Sequence, residues 1–132
     1  MSENELEKSR FRKVDLLSKF QRMPRKIVEI NYDNDLNVIL KDYPEKVVVI
    51  DFWANWCIPC KSYTLIFEKA FQEYSNDFVF MKINVDDTPH IAQYFGITSV
   101  PTTALIKEGK ILRKFVGVVD YEVLIQILDR FK

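Results

Sequence analysis

Cys57 and Cys60 are the only cysteines of the chain, and two residues separate them in Trp56-Cys57-Ile58-Pro59-Cys60-Lys61. Thiols at this spacing close on each other as a disulfide and open again. As a structural crosslink the pair is weak: loop-closure entropy for about four residues is worth roughly 2 kcal/mol, less than for ordinary longer loops. Opening a helix after a buried strand, it reads instead as a dithiol that cycles between reduced and oxidised forms. Only a thiolate attacks a disulfide, and a free thiol is mostly protonated at neutral pH. At a helix start, unpaired N–H groups and the helix dipole favour an anion. Cys57 is therefore the expected nucleophile, forming a mixed disulfide with a client. Cys60, one turn further and less exposed, is expected to resolve it.

The elements that must hold this pair are legible in the apolar pattern. Val47 to Phe52 is apolar on both faces except for Asp51, as a central parallel strand is. Downstream, Tyr63, Ile66, Phe67, Ala70, Phe71 and Tyr74 follow helical spacing, which predicts a long amphipathic helix from Cys60 to Tyr74. Lys26–Ile30 and Phe78–Val85 read as further strands, with short helices at Asn34–Lys41 and Pro89–Tyr94. Thr102–Ile106 and Ile111–Val116 flank Glu108-Gly109, a hairpin signal, and Tyr121–Phe131 closes as a helix. The order βαβαβαββα predicts an α/β fold, a mixed sheet with helices on both faces.

Asp51 is the other candidate for chemistry. Burying a carboxylate in an apolar strand is costly, so its pKa is expected to rise until it exchanges protons near neutrality. An Asp at a strand end can also simply cap a turn. The remaining composition excludes several classes of function. In 132 residues, nineteen basic and nineteen acidic side chains cancel, so no global field points to nucleic acid or a membrane surface. No apolar stretch is long enough to span a bilayer, and residues 1–8 lack the apolar core of a secretory signal. The expected compartment is the cytoplasm, where thiols are kept reduced. Charge is nevertheless uneven: residues 1–26 carry eight Lys/Arg against four Asp/Glu, and the rest eleven against fifteen. With Phe11, Val14, Leu16, Leu17 and Phe20 near helical spacing, residues 1–25 are expected to form a basic amphipathic helical extension, stopped near Met23-Pro24. It packs on the domain or frays at its end, or it serves as a docking arm for an acidic partner or anionic surface.

Six separated blocks carry a family resemblance: Asp51-Phe52-Trp53-Ala54, Trp56-Cys57-Ile58-Pro59-Cys60-Lys61, Lys82-Ile83-Asn84-Val85-Asp86, Val100-Pro101-Thr102, Glu108-Gly109 and Val116-Gly117. Over residues 26–132 the chain resembles the thioredoxins. The resemblance implies the thioredoxin fold and a thiol-disulfide oxidoreductase that reduces client proteins. It implies that Asp51 helps to deprotonate the resolving Cys60, and that the Val100–Pro101 bond is cis and packed against the dithiol. The Val100 backbone would then be free to pair with an extended client segment. Trp56, Ile58, Pro59, Val100, Pro101, Gly117 and Val118 would form an apolar docking patch around Cys57. Phe52 and Trp53 are expected in the core, outside the site. Lys82 either lies near Asp51 or is an ordinary exposed lysine.

Two positions depart from the family pattern. Ile58 stands where thioredoxins usually have Gly, and Leu65 where many have a helix-kinking Pro, so redox tuning and helix shape are not carried over. A structural zinc site wants four Cys or His ligands, and the chain has two cysteines and the single His90, expected on a short surface helix. With three glycines and no nucleotide-binding loop, no bound cofactor is expected. Reducing equivalents would come from a partner, by resemblance a thioredoxin reductase. Clients would be disulfide-containing proteins, with no nucleic acid or membrane partner, and a shuttle of this kind is expected to be a monomer. A disulfide oxidase or isomerase is the alternative, although the Cys-Ile-Pro-Cys dipeptide lacks the histidine of the oxidising relatives. A non-catalytic binding subunit would rest on the N-terminal arm alone.

Overall fold

A computed structural model describes residues 23–132. The basic extension expected over residues 1–25 falls almost wholly outside the described residues. The elements run β1 (Val28–Ile30), a 3-10 turn (Asp33–Asp35), α1 (Leu36–Lys41), β2 (Val47–Trp53), α2 (Ile58–Tyr74), β3 (Phe78–Asn84), α3 (Pro89–Tyr94), β4 (Thr102–Lys107), β5 (Lys110–Val116) and α4 (Tyr121–Phe131). One five-stranded mixed sheet, order β1-β3-β2-β4-β5, has β2 at its centre. β1, β3 and β2 run parallel, while β4 is antiparallel to both β2 and β5.

Alternation along β2 divides the core in two. Val48, Ile50 and Phe52 join Ile39, Ile91 and Phe95 on the side of α1 and α3. Val49 joins Phe67, Ala70, Phe80, Leu124 and Leu128 on the side of α2 and α4. Both faces of β2 are covered, which is why its sequence is apolar without alternation. Asp51 shares the parity of Val49 and so faces α2. The β4–β5 hairpin turns on Glu108 and Gly109, both with positive φ (51° and 80°). Such a turn needs left-handed backbone at both central positions, which Gly adopts freely. A Cβ at Gly109 would also lie 3.0 Å from Leu40 Cδ2.

Several boundaries differ from the sequence reading by one or two residues, and two of the differences have a clear cause. β1 is shorter than Lys26–Ile30, because its ladder to β3 pairs only Val28, Glu29 and Ile30. α2 begins two residues earlier than Cys60, since Pro59 fits a first turn where its missing N–H costs nothing.

Candidate functional site

The end of β2 delivers Trp53 and Ala54 to a tight turn, closed by the Cys57 N–H donating to the Ala54 carbonyl at 3.2 Å. Cys57 is the N-cap of α2, with extended backbone (φ −91°, ψ 109°), and its Sγ accepts the Cys60 N–H at 3.2 Å. A sulfur thus occupies the place where Ser or Asp usually caps a helix, on one of the N–H donors that the first turn leaves free. The two cysteines are joined as a disulfide, with Cα atoms 5.3 Å apart. Cys57 is 3% exposed and Cys60 1%, packed with Ala54 and flanked by Trp53, Val85 and Val100. In this oxidised form both sulfurs lie below the surface, and the difference in exposure between them is slight.

The surroundings sort into an apolar rim and a polar floor. On the rim, Trp56 (70% exposed) and Ile58 (75%) project into solvent, with Pro59 and Val118 exposed as well. Val100 and Gly117 are half-buried, whereas Pro101 is buried and adds little surface to the patch it was expected to share. The Val100–Pro101 bond is cis. The Pro101 carbonyl accepts the Gly117 N–H at 2.8 Å, which ties these two loops together beside the dithiol. Gly117 has φ +94°, a conformation that other residues adopt only with strain. Trp56 is anchored by its indole N–H, which donates to Asp86 Oδ2 at 2.9 Å.

On the floor, Asp51 is fully buried, and neither carboxylate oxygen has a hydrogen-bond partner. Burial pushes its pKa from 3.8 up to about 7, with the Lys82 charge pulling the other way. Lys82 is the cross-strand partner of Asp51 on β3, which decides between the two sequence readings of this lysine. Its ammonium donates to Thr64 Oγ1 at 2.8 Å and lies 4.9 Å from the Trp53 ring centroid. Thr64 Oγ1 in turn donates to the Cys60 carbonyl at 3.0 Å, so a polar chain runs from Lys82 to the backbone of the second cysteine.

Trp53 corrects an expectation: Phe52 is a core residue, but Trp53 is half-buried against the dithiol cluster and beneath Lys82. Alternation requires Phe52 and Trp53 to face opposite ways, but the apolar run does not say which of them faces the dithiol. Thr64, Thr103 and Tyr63 were missed as polar participants. Helical spacing marks Tyr63 as an apolar core position, yet its hydroxyl accepts a 2.7 Å hydrogen bond from Thr103. Leu65 is exposed in a helix that continues unbroken to Tyr74. Among the described residues, no group of three or more His, Cys, Asp or Glu side chains is placed to hold a metal, and no helix is long and apolar enough to cross a membrane. His90 is exposed in the first turn of α3.

Residues 25–130 match the family model described as Thioredoxin. The chain is 36% identical over 85 residues to a thioredoxin of Chlorobaculum thiosulfatiphilum, covering 64% of this chain and 79% of that one. It is 35% identical over 104 residues to a thioredoxin of Buchnera aphidicola, covering 79% and 94%. The crystal structure of the reduced Schistosoma mansoni thioredoxin pre-protein superposes with a TM-score of 0.74 at 31% identity, covering 81% of this chain and 99% of that one.

Proposed function

The chain belongs to the thioredoxin family and is a thiol-disulfide oxidoreductase, a protein-disulfide reductase, and from that premise we propose how its residues divide the work. Cys57 is the attacking thiol. The observation that carries this role is its place as the α2 N-cap with the Cys60 N–H on its sulfur, an arrangement that favours a thiolate over a thiol. The Cys57 thiolate attacks one sulfur of a client disulfide, the other client sulfur leaves as a thiolate, and a Cys57–client disulfide forms.

Resolution needs a second thiolate. Asp51 accepts the Cys60 proton, and with a pKa raised to about 7 by burial it is poised to take and release that proton near neutral pH. Cys60 then attacks the Cys57 sulfur, the Cys57–client bond breaks, and the Cys57–Cys60 disulfide closes. The client gains two electrons and two protons, the protons reaching its thiolates through water; the dithiol loses the same two electrons. No resident cofactor takes part in these steps, and a thioredoxin reductase restores the dithiol. The rim of Trp56, Ile58, Pro59, Val100, Gly117 and Val118 receives the client, with Pro101 shaping it from below. The protein acts as a monomeric shuttle in the cytoplasm, where client disulfides are kept reduced.

The test is insulin disulfide reduction with dithiothreitol as electron donor, run beside Cys57→Ser, with the dithiol titrated against glutathione buffers. Fast reduction lost in the variant, together with a strongly reducing potential, supports the reading. Poor reduction with an oxidising potential would move the protein to disulfide formation or isomerisation.

A further inference from the structure

The α2-facing core is apolar along most of its length, yet three polar side chains are buried together at its dithiol end. Thr103 stands directly across from Asp51 on β4. Their neighbours Leu105 and Val49 belong to the core under α2, so strand alternation turns both Thr103 and Asp51 toward that helix. Cβ atoms of such cross-strand pairs lie about 4.5–5.5 Å apart. From α2, Tyr63 brings its hydroxyl to within 2.7 Å of Thr103 Oγ1. Tyr63, Thr103 and Asp51 are all fully buried.

Hydrogen-bond satisfaction shows what this trio lacks. With Thr103 donating to Tyr63, the Tyr63 hydroxyl still has its own hydrogen to place, and a hydroxyl rotates to suit its acceptor. Among the described residues, the buried side-chain polar atoms without a partner are the two Asp51 oxygens. We propose that the Tyr63–Thr103 hydroxyl pair is a positioning device for Asp51: no hydrogen bond joins the pair to the carboxyl in this structure, and the Tyr63 hydroxyl closes onto the carboxylate once that group ionises. A hydrogen bond to the charged form favours that form. The pair would therefore oppose part of the burial penalty and help set the pH at which Asp51 can take the Cys60 proton.

Other charged groups around Asp51 do not supply this bond. Lys82, from β3, spends its ammonium on Thr64 and the Trp53 ring. β4 contributes Thr103, which does not titrate. α2 contributes Tyr63 and, in the reduced protein, the Cys60 thiol. Burial first, and then the Asp51 charge, hold the Tyr63 hydroxyl above its ordinary ionisation range, so it stays a neutral donor while Asp51 titrates. Tyr63 and Thr103 are positioning residues, since neither touches a reacting sulfur.

The inference rests on Asp51 being the proton acceptor, and its test is kept separate from turnover. The Asp51 carboxyl is titrated by carbon NMR in the oxidised full chain, for the wild type, Tyr63→Phe, Thr103→Ser and Thr103→Val. Losing one hydrogen bond to a charged group should move the Tyr63→Phe midpoint about one pH unit to the alkaline side, while Thr103→Ser keeps the wild-type titration. Tyr63→Phe titrating with the wild type would overturn the proposal. Should that variant not fold, Thr103→Val decides: an alkaline displacement supports the device and an unchanged midpoint overturns it. Asp51→Asn resolving mixed disulfides at the wild-type rate would sink the proton-acceptor role instead, and would leave the titration result standing.

Discussion

The two ends of α2 pack on the same face of the same sheet and follow opposite rules. Toward its C-terminus, Phe67, Ala70 and Tyr74 are buried against Phe78, Phe80, Leu124 and Leu128, with edge-to-face ring contacts between Phe67 and Phe80 and between Phe71 and Phe80. Polar groups there sit at the margin with partners: Tyr74 donates to Asp129 and Tyr121 to Glu73. Toward its N-terminus the arrangement is inverted. A carboxyl without partners is buried beneath the helix, while Trp56 and Ile58 stand out in solvent. The C-terminal end satisfies what folding asks of a core. The N-terminal end gives up satisfaction where thiol chemistry needs a movable proton and an apolar landing surface.

Breaking the reactive end should have the largest effect. Cys60→Ser should leave Cys57 able to attack and unable to be released. A client peptide disulfide should then accumulate as a covalent adduct, seen by mass spectrometry as one peptide bound per chain, while multiple-turnover insulin reduction falls by roughly a thousandfold or more. Absence of the adduct would reverse the roles given to the two cysteines.

At the other end, Phe67→Ala opens a cavity under the ring cluster, and should cost about 3–5 kcal/mol in chemical denaturation. The remaining folded protein should keep its rate of attack on a client disulfide, because no side chain of that cluster touches the sulfurs. A change in rate per folded molecule would show that the two ends are coupled.

Asp51 sharpens the contrast through pH. Unfolded, its carboxyl has given up its proton by about pH 4–5; folded, it holds it to about 7. Between these values the unfolded chain binds fewer protons, so raising pH favours unfolding. Oxidised wild-type protein should lose stability from pH 4 to 7, by a total on the order of 4 kcal/mol, and Asp51→Asn should remove that slope. A flat wild-type profile would mean that the carboxyl is better solvated than its burial implies.

The same contrast explains what was legible in the sequence. The order of elements along the chain, the hairpin at Glu108-Gly109 and the core positions of α2 follow from local periodicity and turn chemistry, which act within a few residues. The dithiol was legible because both cysteines lie in one helical turn. Asp51 was legible as a lone charge in an apolar run. The polar floor was not, because it is assembled across the fold: Tyr63 meets Thr103 forty residues away, and Lys82 meets Thr64 eighteen residues away. Helical spacing placed Tyr63 inside and could say nothing about its hydroxyl, whose partner is set by strand register. Trp53 was misplaced for a related reason, since a continuous apolar run hides which of its residues faces the dithiol.

The smallest expected effect belongs to the satisfied end. The Tyr74 hydroxyl donates to Asp129 Oδ1 at 2.7 Å, at the margin of the core where water reaches the carboxylate. Tyr74→Phe keeps the ring and its packing on Phe78 and removes only that bond. Water can replace the lost donor at Asp129, so the cost should be about 1 kcal/mol or less by denaturation. Insulin reduction should be unchanged, as should the Asp51 titration. This sets Tyr74→Phe against Tyr63→Phe, the same chemical change at opposite ends of α2: one hydroxyl ends at a solvated carboxylate, the other beside a buried one. If both variants lost only stability and left the Asp51 midpoint where it was, the two ends of α2 would differ in packing alone. If only Tyr63→Phe moved the midpoint, the difference between the ends would lie in what each hydroxyl does for a charge.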